Sequence, residues 1–163
     1  MNILFLCTGN SCRSILAEAT FNHLAPAGWR ALSAGSQPTG EVHPRSLALL
    51  AAKGIDASDC ASKSWDALPV TPDIVITVCA SAAGETCPAY LGPVLRSHWG
   101  VDDPAKATGS PADIDAAFVR AYRVLRAHRS PAGLAGRTAA RRTRRAESRA
   151  GPHWPAVGVS VIF

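Results

Sequence analysis

A chain of 163 residues, 47% hydrophobic and 18% charged, is long enough to bury one substantial core and too apolar to be wholly disordered. No apolar run approaches the ~18–20 residues of a membrane-spanning helix, so no membrane role is expected. The net charge of +5 does not describe a basic domain: residues 1–127 hold ten Lys and Arg against eleven Asp and Glu, whereas residues 128–163 hold seven Arg and one Glu.

Taken in order, Ile3-Leu4-Phe5-Leu6 is a short unbroken apolar run and reads as a buried strand. The opening residues are too few, and lack the basic start, for an export signal. The five cysteines, at 7, 12, 60, 79 and 87, form an odd set without repeated spacing. A reducing cytoplasm and reactive thiols are therefore expected rather than a disulfide scaffold.

Directly after the strand comes Cys7-Thr8-Gly9-Asn10-Ser11-Cys12-Arg13-Ser14, and a helical pattern follows through Ile15, Leu16, Ala19, Phe21 and Leu24. The segment thus joins the C-terminal end of a strand to a helix N-terminus, where open α/β sheets bind ligands. Inward-pointing amides along Thr8 to Ser14, with the helix terminus behind them, would cradle a tetrahedral oxyanion. Gly9 and Asn10 are the residue types that tolerate left-handed φ values. Arg13 can grip two oxygens with its planar fork. Cys7 is the expected nucleophile, its thiolate favoured below the ordinary value of about 8.5 and helped by the Ser14 hydroxyl. Cys12, inside the loop, reads as a packed bystander through its side chain.

Trp29 to Gly35 reads as a second strand and its exit turn, and Pro44 to Lys53 as a helix stopped at Gly54. Cys60 falls between elements and looks incidental, and Ser64-Trp65-Asp66 opens a short segment. Asp73 to Val78 is the clearest strand, β-branched and continuous, and it delivers Cys79 to the same sheet edge as Cys7. Leu95 to Trp99 is a fourth strand, leading into Asp102-Asp103-Pro104. Asp113 to Ala127 is an amphipathic helix with Phe118, Tyr122 and Leu125 on one face. Alternating strands and helices predict a parallel, doubly wound α/β sandwich. The scattered histidines have no metal-ligand spacing, and no metal is expected.

The octapeptide from Cys7 to Ser14 resembles the low-molecular-weight tyrosine phosphatase superfamily and, more narrowly, the arsenate reductases built on that fold. Val78 to Pro88, His98-Trp99-Gly100 and Asp102-Asp103-Pro104-Ala105 extend the resemblance over residues 1–127. It implies a three-layer α/β sandwich around a four-stranded parallel sheet. It also implies reduction of arsenate to arsenite without a bound cofactor, Cys7 attacking arsenic and Asp103 protonating the departing oxygen. Cys79 would then displace arsenite and Cys87 take over the disulfide. Seven residues separate Cys79 from Cys87, one more than in the thioredoxin-coupled members. Either thioredoxin or glutathione with glutaredoxin is the implied external reductant.

The competing reading is a tyrosine phosphatase in which water releases a phosphoryl group from Cys7, with Asp103 as acid and then base. Ala105 and Lys106 follow Asp103-Pro104 where such phosphatases place tyrosines, and the thiols of Cys79 and Cys87 would be redundant. Asn10, Glu18 and Ser33 match positions that hold a structural cation in some relatives; here they are expected to brace the loop by hydrogen bonds. A monomer is expected. Residues 128–163, rich in Arg, Ala, Gly and Pro, read as a disordered basic tail or as a segment foreign to the fold, such as a shifted frame of a GC-rich gene would encode. No aromatic residues interleave the arginines, which disfavours a nucleic-acid arm.

Overall fold

The computed structural model describes residues 1–84 and 94–128. Cys87 and residues 129–163 lie outside them. Strands β1 (Asn2–Leu6), β2 (Arg30–Ala34), β3 (Ile74–Thr77) and β4 (Leu95–His98) form one sheet in the order β2-β1-β3-β4, every pair parallel. Helices α1 (Arg13–Leu24), α2 (Pro44–Ala52), α3 (Ala80–Gly84) and α4 (Pro111–His128) fill the connections. The chain reverses its direction across the sheet between β2 and β3, so the loops after β1 and β3 lie side by side at the C-terminal edge.

Alternation along β1 sorts the core into two layers. Ile3 and Phe5 face the helices and join Ile15, Phe21, Ile74 and Ile76 in the larger cluster. Phe5 sits between Phe21 and Trp99, with ring centroids 6.1 and 5.4 Å away. Burying a side chain of this size contributes about 1.5–3 kcal/mol. Leu4 and Leu6 face the other way and pack with Leu32, Ala34 and Val75 beneath Trp65, Leu68 and Val94. Helix α1 lies against β1 and β2 and carries α2 and α4 on its flanks. Its residues from Ser14 to Phe21 are all buried, so it is an interior helix with no polar face over that stretch.

Local chemistry sets the helix ends. Pro44 occupies the first turn of α2, the His43 ring accepts from the Arg45 amide, and Gly54 leaves the helix at φ 68°. At α4, Ser110 and Asp113 exchange backbone-to-side-chain bonds in a reciprocal cap. Helix α4 buries Phe118, Tyr122 and Leu125, as the sequence pattern requires. Its last described residue is His128, whose ring stacks on Trp99 at 5.4 Å and an interplanar angle of 16°.

Candidate active site

The β1–β3 register pairs Leu6 with Thr77, which brings Cys7 and Cys79 out at one edge. The Val78 amide donates to Leu6 O at 2.9 Å and continues the ladder past the last paired residues. The two cysteines are free thiols, 5% and 2% exposed, and lie close enough for each to shift the ionisation of the other. This pair is the centre of the site.

The loop from Cys7 to Ser14 turns its carbonyls outward. Thr8 O accepts from Gln37 N at 3.0 Å, Gly9 O from Thr39 N at 3.0 Å and Ser62 Oγ at 3.3 Å, and Ser11 O from His43 N at 3.1 Å. In a trans peptide the N–H points opposite to the carbonyl, so the amides of Gly9, Asn10 and Cys12 turn inward. The Gly9 amide faces the Cys7 sulfur. Of the two residues expected to need left-handed freedom, only Asn10 uses it, at φ 43°.

Asn10 also braces the loop from within. Its Nδ2 donates to Ser14 Oγ and Ser33 Oγ, both at 2.9 Å, and its Oδ1 accepts from Lys63 N at 2.8 Å. Ser33 in turn donates to Glu18. These are the bracing roles expected for Asn10, Glu18 and Ser33. The Ser14 hydroxyl oxygen accepts from Asn10 and so contributes to the loop's shape, a role the sequence did not suggest. Cys12 is buried at the start of α1, and burial pushes its thiol up. Cys60 lies away from the thiol pair, pushed up to about 12 by burial first and by the Glu18 charge second.

Arg13 heads α1 and reaches across to the loop after β4. One terminal nitrogen donates to Val101 O at 3.0 Å and the other to Asp103 Oδ2 at 2.9 Å, while Nε is buried without a hydrogen-bond partner. The Nε–H is thus a donor without an acceptor, aligned by two bonds at the far side of the guanidinium. Asp103 Oδ1 meanwhile caps the short turn Pro104–Lys106 by accepting from Ala105 N at 3.1 Å. Asp102 is exposed. Of the two acidic residues, Asp103 is the one tied into the site.

The two thiols shift each other in opposite directions. Cys7 is raised, first by the neighbouring Cys79 thiol, then by burial; Arg13 and the Gly9 amide oppose this. Cys79 is lowered, first by Cys7 and, against its burial, by the Ala82 amide at 3.3 Å and by Thr8, whose Oγ1 lies 3.6 Å away. The sequence suggested the field of Arg13 and the loop and placed Cys79 at the same edge, but not the effect of one thiol on the ionisation of the other.

Gly35 also passed unnoticed as a site residue. A Cβ there would lie 2.4 Å from Thr8 O and 2.9 Å from Cys7 O, so only glycine lets the end of β2 approach the loop. Lys63 and the Val101 carbonyl were missed too, since only tertiary contact links them to the loop. Among the described residues, no group of three or more His, Cys, Asp or Glu is arranged to hold a metal, and no helix is long and apolar enough to cross a membrane.

Residues 2–130 match the family model of the low molecular weight phosphotyrosine protein phosphatases. The arsenate reductase of Halalkalibacterium halodurans is 42% identical over 119 residues, 72% of this chain and 84% of that protein. Among solved structures, an arsenate reductase from Archaeoglobus fulgidus aligns with a TM-score of 0.61 at 26% identity, covering 76% of this chain and 95% of its own. A thioredoxin-dependent arsenate reductase from Corynebacterium glutamicum aligns with a TM-score of 0.60 at 26% identity, over 82% of this chain and 62% of its own. With its cysteine loop, four-stranded parallel sheet and late Asp-Pro turn, this chain belongs to the low molecular weight phosphotyrosine protein phosphatase family.

Proposed function

We propose that this chain is an arsenate reductase working through cysteine chemistry. The observation that carries this reading is a second buried free thiol, Cys79, brought out beside Cys7 at the same sheet edge by the β1–β3 register. A phosphatase needs one thiol at the floor of its loop. A reductase needs a second within bonding reach, because arsenic must gain two electrons and two thiols must lose them.

In this mechanism the loop amides and Arg13 take the oxyanion. The dianion competes with Asp103 for the guanidinium, which leaves the Asp103 carboxyl facing the bound anion. As Cys7 attacks arsenic its proton passes to the neighbouring Cys79, and Asp103 protonates the oxygen that leaves as water. Cys79 then passes its proton to an arsenic oxygen and attacks the Cys7 sulfur. The S–As bond breaks, its electron pair leaves with As(III) as arsenite, and a Cys7–Cys79 disulfide forms. Cys87 is assigned the next exchange, attacking Cys79 to free Cys7, with thioredoxin or glutathione and glutaredoxin as the final donor. The protein is assigned to the cytoplasm as a monomer.

Arsenite release measured with each thiol system tests the activity, alongside hydrolysis of an aryl phosphate. Reduction of arsenate is expected, with ester hydrolysis slow or absent. Ester hydrolysis without arsenite under either donor would establish the phosphatase reading instead. Peptide mapping of Cys87→Ser after one turnover is expected to show a Cys7–Cys79 bridge. Any other bridge, or none, rejects the order of exchange.

A further inference from the structure

Glu18 is a carboxylate inside the protein, 5% exposed, in the middle of an interior helix face. A charge in that position is costly unless it is paired and fully hydrogen-bonded. Its neighbours are few. Ser33 donates to its Oε2, and Lys63 Nζ lies 4.0 Å from the same oxygen. Arg30 adds a weaker favourable field from β2, and Asp59 an unfavourable one. His23, Asp56 and Cys60 line the adjoining cleft with Asp59.

From Glu18 a chain of bonds runs to the loop. Ser33 has a single hydroxyl proton. Because that proton goes to Glu18, the Ser33 oxygen is left to accept from Asn10 Nδ2. The other Nδ2 hydrogen goes to Ser14, and Asn10 Oδ1 receives the Lys63 amide. Each donor direction follows from the one before it, and the first is set by an acceptor-only carboxylate. The Lys63 backbone is itself fixed, its carbonyl accepting from Gly35 N at 2.9 Å.

We infer that Lys63 is a positioning residue for the anion loop: its ammonium is the counter-charge of the Glu18 carboxylate, and its amide orients Asn10. One residue thus holds both ends of the chain Glu18–Ser33–Asn10. The main chain at 63 survives substitution of the side chain, so the part open to test is the charge. Without the ammonium the buried Glu18 carboxylate is left without its counter-charge. It then gains from shifting toward water, and Ser33 and Asn10 lose the fixed acceptor at the head of their chain. The loop that Asn10 shapes becomes looser, and oxyanion affinity falls.

The assignment concerns anion binding and rests on the arsenate reductase reading only for the turnover part of its test. The experiment compares the full chain with Lys63→Met and Lys63→Arg. It measures the Kd for inorganic phosphate by calorimetry, the KM and kcat for arsenate, and thermal unfolding, all at neutral pH. Lys63→Met is expected to raise Kd and KM about fivefold, the scale of a partly exposed ion pair, with kcat little changed. Lys63→Arg should restore most of the affinity. Glu18→Gln removes the charge that needs a partner, so adding Lys63→Met to it should change nothing further. That pair of variants also decides the matter if Lys63→Met alone does not fold. A phosphate affinity unchanged in Lys63→Met, or lowered and not restored by arginine, overturns the assignment. Weakened phosphate binding in a protein that never reduces arsenate would leave Lys63 in place and sink the reductase reading alone.

Discussion

Two loops leave the same edge of the sheet from neighbouring strands, each beginning on or next to a cysteine, and they are built in opposite ways. The loop after β1 is fastened through the Thr8, Gly9 and Ser11 carbonyls to segments around 37, 39, 43 and 62, and through Asn10 to Ser14, Ser33 and Lys63. The segment after β3 is made of small residues, Ala80-Ser81-Ala82-Ala83-Gly84, whose helix is five residues long. Its Cys79 is held by single contacts to Cys7, Thr8 and Ala82. A site that must recognise a rigid tetrahedral anion gains from the first construction, because preorganised donors need no rearrangement when charge develops. A thiol that must change partners gains from the second, because short helices of small residues bury little and cost little to rearrange. The division is between a fixed receptor and a transferable sulfur.

The largest effects should come from breaking each side at its sulfur. Cys7→Ser should abolish arsenate turnover while phosphate still binds with near-native affinity, since the cup consists of backbone amides and Arg13. Cys79→Ser should also stop multiple turnover by thioredoxin, but it should leave Cys7 able to form a mixed disulfide with glutathione. Arsenite release and phosphate calorimetry on the two variants separate receptor from relay. Turnover by Cys7→Ser would sink the nucleophile assignment.

Asp103 joins the comparison from the third loop, after β4. Asp103→Asn should slow the first chemical step by roughly 10²–10⁴-fold, the range of a positioned general acid. Asp102→Asn should matter far less, because Asp102 is exposed whereas Asp103 binds Arg13. Single-turnover kinetics compare them directly, and a larger loss at Asp102 would exchange the roles.

Much of this was legible because it is local. The run Ile3 to Leu6, the octapeptide behind it and the β-branched strand before Cys79 are contiguous in sequence, so the two strands, their shared edge and the loop ahead of α1 followed from patterning alone. The bracing bonds of Asn10, Glu18 and Ser33 were expected in place of the cation that resemblance suggested at those positions. What sequence could not supply was contact across the fold. Gly35 looks like an ordinary strand terminator until Thr8 O is seen 2.4 Å from its missing Cβ. Lys63 is one lysine in a loop until its amide is found on Asn10. The ionisation of the thiols depends on the same kind of contact: the loop field argued for a Cys7 thiolate, and burial beside Cys79 opposes that field.

Gly35→Ala sharpens the fixed side. The added methyl meets two carbonyl oxygens of backbone, which cannot swing away as a flexible side chain would, so either β2 or the loop must shift. A loss of about 1–3 kcal/mol in unfolding free energy is expected, the range of an overpacked core position, with weaker phosphate binding beside it. Denaturant titration and calorimetry measure the two. Full affinity in a destabilised variant would show that β2 gives way and the loop does not.

The smallest and most specific effect concerns the resting proton. If the transferable sulfur is the charged one, the thiolate absorbance of the native protein should show one group ionising below the ordinary cysteine range, and Cys79→Ser should remove that step. In Cys7→Ala the step should remain but move to higher pH, since the Cys7 thiol is the strongest of the donors that lower Cys79. Thr8→Val should move it in the same direction by less, because the Ala82 amide and the Cys7 thiol stay in place. The sign follows from the charge being lost: each donor favours the thiolate over the thiol, and removing one means a higher pH is needed to reach the same ionised fraction. A low-pH step that survives Cys79→Ser and disappears in Cys7→Ala would put the resting charge on Cys7. The proton would then have no journey to make before attack, and the contact between the sulfurs would serve the disulfide step alone.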